Sequence, residues 1–216
     1  MNRSPIETRP RTDPTRRRGA EVGLVLATHA HTDHLDGKTL RAICAASPSA
    51  VLAVPAACRE TAIERVPLAA GRLLTLDAGD RVELAGFEFT AIPAAHETPA
   101  TDGQGHCLYL GYIVCCGGTS IYHAGDTVRF AGMAEMLREH RIDVALLPIN
   151  GRPGVVPGNL TAAEAVELTR DIGAGMLIPC HFDMFDFNTA DRAECEEMAR
   201  QAGVQCVVLC PGECWP

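Results

Sequence analysis

The sequence predicts an α/β domain in which sheets are covered by helices. Short apolar runs bounded by turn residues fill the first half, and helical patterns alternate with strands in the second. The composition, 47% hydrophobic and 21% charged, is that of a globular chain with enough apolar side chains for a core.

The elements follow in order. Val22–Thr28 is a continuous apolar run and reads as a buried strand. Lys38–Ala46 places Leu40, Ile43 and Cys44 at helical spacing, and Ala50–Val54 reads as a strand. Pro55 opens a short helix reaching about Glu64. Arg81–Leu84 and Phe87–Ile92 form a hairpin through Ala85-Gly86, and Leu108–Cys116 and Ser120–His123 form another through Gly117-Gly118. Met133, Met136 and Leu137 mark one face of a helix ending near His140, and Asp143–Ile149 is a strand. Thr161-Ala162-Ala163-Glu164 is a capping-box signature for a helix that Gly173 closes. A strand at Met176–Pro179, a helix at Arg192–Gln201 and a last strand at Val204–Leu209 complete the series.

Residues 1–20 are polar, with Pro5, Pro10 and Pro14 and the run Arg16-Arg17-Arg18, and read as a loop-like lead-in. Residues 21–216 read as one domain. No stretch reaches the roughly 20 apolar residues of a membrane span, and the lead-in lacks a signal-peptide core. The ten cysteines include no Cys-x-x-Cys pair and lie partly in apolar runs, so we expect reduced thiols in a cytoplasmic protein. A net charge of −8 gives no sign of the basic face that a nucleic-acid partner requires.

The chemistry concentrates in Thr28-His29-Ala30-His31-Thr32-Asp33-His34, directly after an apolar strand. Alternation along a strand lets His29 and His31 point the same way, and a following turn lets Asp33 and His34 reach a second point nearby. That pattern suits two neighbouring metal ions. Three further candidates each close a strand: His96, Asp126 and His181. Together they make five histidines and two aspartates, a mixed N/O donor set suited to Zn²⁺, Mn²⁺ or Fe²⁺. Two such ions would lower the pKa of a shared water, so hydrolysis needs no side-chain nucleophile. Asp126 is the candidate for orienting that water, with Asp33 beside it. His123, three residues before Asp126, is a further catalytic candidate on the same rim. Asn150-Gly151-Arg152 follows a strand, and its guanidinium suits an anionic substrate group.

The order HxHxDH, then a lone His, a Gly-Asp and a final His resembles the metallo-β-lactamase superfamily. Longer stretches resemble its L-ascorbate-6-phosphate lactonase-like branch: Pro93-Ala-Ala-His96-Glu97, Tyr122-His-Ala-Gly-Asp-Thr127, Leu146-Leu-Pro-Ile-Asn-Gly-Arg152, Asn159-Leu-Thr161 and Pro179–Thr189. The resemblance implies an αββα sandwich with the metals at one edge between the sheets. It implies that His29, His31 and His96 hold one ion, that Asp33, His34 and His181 hold the other, and that Asp126 bridges them. It implies hydrolysis of a small ester or lactone, such as a phosphorylated sugar lactone, with zinc or manganese. A phosphodiesterase or nuclease, or a catalytically weak metal-binding protein with a binding or assembly role, are the alternatives on this fold. Two departures are visible. The segment Pro153–Gly158 carries no basic residue where this branch often does, which weakens the case for a phosphate. Relatives also place more chain before HxHxDH, so we expect a shortened first sheet, and a homo-oligomer covering its open edge.

Overall fold

The computed structural model describes residues 21–152, 156–183, 188–210 and 212–213. The expected lead-in, residues 1–20, lies outside them.

A first sheet holds three parallel strands in sequence order: β1 (Leu24–Leu26), β2 (Val51–Pro55) and β3 (Leu73–Leu76). Helix α1 (Gly37–Ala46) connects β1 to β2. Its first turn is closed by Asp36, which accepts the backbone N–H of Lys38 and Thr39. A 3₁₀ turn over Ala56–Cys58 runs into α2 (Arg59–Arg65), as Pro55 suggested, and a second 3₁₀ turn, Pro67–Arg72, leads into β3. Strand β3 had no clear signal in the sequence, being four residues long and entered from a turn.

The second sheet has six strands. The first four, β4 (Arg81–Leu84), β5 (Phe87–Pro93), β6 (Leu110–Cys116) and β7 (Thr119–His123), form an antiparallel meander. The two expected hairpins are both present, turning at Ala85-Gly86 and Gly117-Gly118. From β7 the chain crosses through α3 (Met133–Arg138) to β8 (Val144–Pro148), parallel to β7. A small antiparallel pair follows, β9 (Asn150–Arg152) and β10 (Val156–Thr161). Helix α4 (Ala162–Asp171) then leads to β11 (Met176–Cys180), parallel to β8. The chain ends through α5 (Arg192–Ala202), which packs on α4. The expected capping box is present: Thr161 Oγ1 accepts the Glu164 N–H at 3.2 Å, and the Thr161 N–H donates to Glu164 Oε2 at 2.8 Å.

Alternation along the strands shows why two sheets become a four-layer sandwich. In β2, Leu52 and Val54 pack outward with Leu40 and Cys44 of α1, whereas Ala53 faces inward. In β6, Leu110 and Tyr112 join Ala53, Leu76 and Phe89 between the sheets, whereas Ile113 faces the helix layer of Met133, Leu137 and Leu168. Both faces of each sheet are therefore buried, as a period of two requires. Two bonds tie the sheets at the end of β1. Tyr112 Oη donates to the Ala27 carbonyl at 2.9 Å, and the Leu110 N–H donates to the Thr28 carbonyl at 2.9 Å. They fix where the histidine-rich segment begins.

The fold is the α/β metallo-β-lactamase sandwich expected from the sequence, with three strands in the first sheet against six in the second. One element is corrected. Val204–Leu209 is not a strand. It makes a single parallel bridge, Cys206 to Leu177, through the Leu177 N–H to Gln205 O and the Val207 N–H to Leu177 O. Pairing ends there, and the Cys210 N–H is taken by the Glu213 carboxylate instead. The nine cysteines among the described residues are all free thiols. No helix among them is long and apolar enough to cross a membrane.

Candidate metal centre

The seven residues singled out in the sequence come from four places in the chain and meet at one edge of the sandwich. His29, His31, Asp33 and His34 lie on the segment leaving β1. It turns tightly, with the N–H groups of His34 and Leu35 both donating to the His31 carbonyl. His96 follows β5, Asp126 follows β7 and His181 follows β11. His181 adopts φ 62°, a left-handed conformation that costs a non-glycine residue free energy and recurs at functional sites.

Asp126 is buried at the centre, and its two oxygens face different partners. Oδ2 lies 4.0 Å from His29 Nε2 and 4.0 Å from His96 Nε2. Oδ1 lies 3.2 Å from His34 Nε2 and 3.5 Å from His181 Nε2. Asp33 Oδ2 completes the second group, 3.7 Å from both His34 Nε2 and His181 Nε2. His31 Nδ1 completes the first, 2.9 Å from His29 Nε2. Donor atoms about 2.1 Å from one tetrahedral ion stand roughly 3.4 Å apart, the range these distances span.

Three sets of donor atoms are close enough to hold an ion: His29 with His34 and Asp126, His31 with His96 and Asp126, and Asp33 with His34 and His181. The third is the second-ion set implied by the resemblance. The first sets His29 with His34 instead of with His31 and His96, so that His34 stands in two sets, and both of the first two draw on Asp126.

Whether these residues fit a metal can be judged from their unpaired atoms. Asp126 Oδ1 and both ring nitrogens of His181 are buried without a hydrogen-bond partner. Such atoms are costly unless something else satisfies them, and a divalent cation on a nitrogen and oxygen donor set does so. The residues fit the group.

The electrostatics agree. Burial, then the neighbouring His34, pushes the His29 imidazole down to about 3, and burial lowers His96. Burial alone would raise Asp126, but the adjacent His181 and His34 outweigh it and hold the carboxyl well below the usual range. At His181 burial is likewise outweighed, by Asp126 and Asp33, and the ring is raised. The cluster therefore keeps Asp126 anionic and His29 neutral, the forms that bind cations.

One prediction follows for the metal-free protein. Unfolded, His29 takes up a proton near 6.5; folded, it resists until about 3. The unfolded chain thus binds more protons across that window, so this group lowers stability as pH falls from 6.5 towards 3. Melting curves of chelator-treated protein should show Tm falling over that range, with a shallower fall for His29→Asn. A slope unchanged by the substitution would contradict the assignment.

One catalytic candidate, His123, is engaged by the backbone, and one binding expectation, Asn150, is corrected. His123 stands outside the three donor sets. Its Nδ1 accepts the Gly125 N–H at 3.0 Å, so it braces the turn that delivers Asp126. Asn150 does not face a substrate. It is fully buried, donating to Asn188 Oδ1 at 2.5 Å and accepting from Asn159 Nδ2 at 3.0 Å. The Gly151 turn expected there is part of β9, whose backbone lies so close to β10 that a Cβ on Gly151 would fall 2.0 Å from the Asn159 carbonyl. Arg152 is exposed and lines a pocket of about 510 Å³ with Thr161, Asp191 and Glu194; none of the seven cluster residues lines it.

Two residues around the cluster were missed. The Tyr109 ring lies 5.4 Å from His96 at 20°, and 5.2 Å from His29. Gly158 of β10 brings its backbone against His96. Neither had a signal in the sequence, since both meet the cluster only through contacts made across long sequence separations.

A two-sheet sandwich with this donor set at its edge defines a metal-binding protein of the metallo-β-lactamase fold. Residues 3–182 match the β-lactamase superfamily domain. A UPF0173 metal-dependent hydrolase of Methanoculleus marisnigri is 33% identical over 202 residues, which cover 90% of this chain and 81% of that protein. A second, of Methanoregula boonei, is 31% identical, covering 90% and 82%. Among solved structures, Igni18, a metallo hydrolase from Ignicoccus hospitalis, superposes with a TM-score of 0.70 at 25% identity, covering 88% of this chain and 77% of that one. The chain belongs to the β-lactamase superfamily and, within it, to the UPF0173 metal-dependent hydrolases.

Proposed function

We propose that this protein is a two-metal hydrolase of a small ester or lactone. The observation that carries the reading is Asp126, whose two oxygens face His29 and His96 on one side and His34 and His181 on the other. In this reading His29, His31 and His96 hold one divalent ion and Asp33, His34 and His181 the other, with Asp126 shared. Zinc or manganese suits the set, and iron is compatible with it. When bound, the pair of ions supplies an activated water and a Lewis acid for the carbonyl.

The chain's own residues do the rest. Asp126, buried and held anionic, orients what lies between the two groups and does not serve as an acid. His31 and Asp33 are exposed while His29 and Asp126 are buried, so the cluster opens on the His31 and Asp33 side. The Tyr109 ring walls the His96 side. The lactone preference rests on the sequence resemblance. The place of Arg152, on a pocket that no cluster residue lines, leaves a phosphate group without that grip.

The test is a turnover screen of protein loaded with Zn²⁺ or Mn²⁺, using lactones, aryl esters, bis(p-nitrophenyl) phosphate and a β-lactam. The reading expects lactone or ester hydrolysis that a chelator abolishes. Hydrolysis of the phosphodiester alone would overturn the substrate class. No turnover of any substrate by protein carrying two ions would overturn the hydrolase reading.

A further inference from the structure

Thr28 carries a contact pattern that the ligand set leaves unexplained. It is the residue immediately before the histidine-rich segment, 6% exposed, with its carbonyl anchored to the second sheet by the Leu110 N–H. Its Oγ1 lies 3.0 Å from His29 Nδ1 and 3.2 Å from His34 Nδ1. One hydroxyl therefore touches two ligand rings, one from each side of Asp126. The opposite nitrogens of those rings, both Nε2, are the ones that face the Asp126 oxygens, at 4.0 Å and 3.2 Å.

The side chain also touches Asp126's own support. Gly125 sits at φ 64°, and a Cβ there would fall 2.9 Å from Thr28 Cβ and 3.0 Å from its Cγ2. The turn that delivers the central carboxylate thus rests on the Thr28 methyl, while the hydroxyl meets the two rings.

We infer that Thr28 is a positioning residue that sets the tautomer of His29 and His34 together, accepting the Nδ1–H of both rings so that both Nε2 lone pairs are free for the cations. The inference rests on the metal-centre reading above. A hydroxyl has two acceptor lone pairs, and a neutral imidazole with its proton on one nitrogen has its lone pair on the other. Metal-binding histidines are commonly fixed in this way by an acceptor for the far N–H. Here one acceptor serves both, so the two halves of the centre share a single orienting group. The 2.9 Å contact between His29 Nε2 and His31 Nδ1 is consistent with this assignment. With its proton on Nδ1, His29 presents Nε2 as an acceptor.

The variants separate hydroxyl from methyl. Thr28→Val keeps the shape beneath Gly125 and removes the acceptor; Thr28→Ser keeps the acceptor and removes the methyl. The first readout is long-range ¹⁵N–¹H NMR of histidine-labelled, metal-free protein, at a pH where the rings are neutral. His29 should appear as Nδ1–H in the wild type and in Thr28→Ser but not uniformly in Thr28→Val, and His34, whose Nε2 can donate to Asp126 Oδ1 at 3.2 Å while the centre is empty, should do the same once the protein is loaded with Zn²⁺. The second is competition titration with Zn²⁺. Thr28→Val should bind both ions about 10–100-fold more weakly, with Thr28→Ser close to wild type.

An Nε2–H tautomer at His29 in the metal-free wild-type spectrum, or at His34 in the Zn²⁺-loaded one, overturns the inference, and that measurement needs no variant to fold. So does Thr28→Val with unchanged tautomers and affinity, or Thr28→Ser as impaired as Thr28→Val, which would make the methyl the working part. A wild-type protein that takes up no metal sinks the reading of the centre instead, and the His29 tautomer still decides the role of Thr28.

Discussion

Replacing Gly158 with Ala should cost the protein the ion on the His96 side. A Cβ at this position would stand 2.3 Å from His96 Cε1, 2.5 Å from Nδ1 and 2.7 Å from Nε2, inside any tolerable contact. The backbone there has φ 92°, a conformation glycine adopts freely and alanine does not, so the variant meets strain as well as collision. Either the imidazole swings away or the β9–β10 pair lifts, and both outcomes move a ligand. Affinity on that side should drop by about 10–100-fold or more, the scale seen when a ligand loses its support. On the proposed two-metal reading, metal analysis after dialysis should find one ion per chain in the variant against two in the wild type, with circular dichroism unchanged. An alanine variant that retains both ions at wild-type affinity would show that the β10 backbone does not hold His96.

Asp126→Asn should have the largest effect on turnover. The substitution preserves shape and removes the charge on which both groups of ligands depend. One of the two oxygens becomes an NH₂, which can donate to a histidine nitrogen but cannot bind a cation. Because the oxygens face opposite groups, the loss on either side cannot be confined to one ion. We expect kcat/KM to fall by about 10³-fold or more, and bound metal to fall with it. Asp102→Asn is the matched control. That carboxylate pairs with His106 at 3.2 Å within its own loop, and its loss should leave turnover unaltered. Equal activity in the Asp126 variant and the control would remove Asp126 from the mechanism.

How far the sequence speaks for this centre differs from residue to residue. His29, His31, Asp33 and His34 are legible because a strand and a turn place them together within a few positions. The capping box at Thr161 is legible for the same reason. His96, Asp126 and His181 could be named as strand ends, but their convergence depends on topology: β5, β7 and β11 are not adjacent in the sheet order β11-β8-β7-β6-β5-β4. That information came from the resemblance to a known fold, since spacing alone does not contain it. Asn150 was misread because a residue before a glycine resembles a surface turn, whereas the close approach of β9 to β10 buries its amide. The bond between His123 and the Gly125 N–H was not legible, because proximity in the chain to Asp126 does not say which way a strand-end ring points. Gly158 and Tyr109 were illegible for the opposite reason. Their roles exist only through contacts with His96, made across long sequence separations.

The central claim is that one buried carboxylate organises two metal ions. Anomalous diffraction from crystals of Zn²⁺- or Mn²⁺-loaded protein tests it most directly. The account predicts two peaks about 3.5–4 Å apart, with Asp126 between them, one among His29, His31 and His96 and the other among Asp33, His34 and His181. A single peak, or a pair that leaves Asp126 unbound, would contradict it.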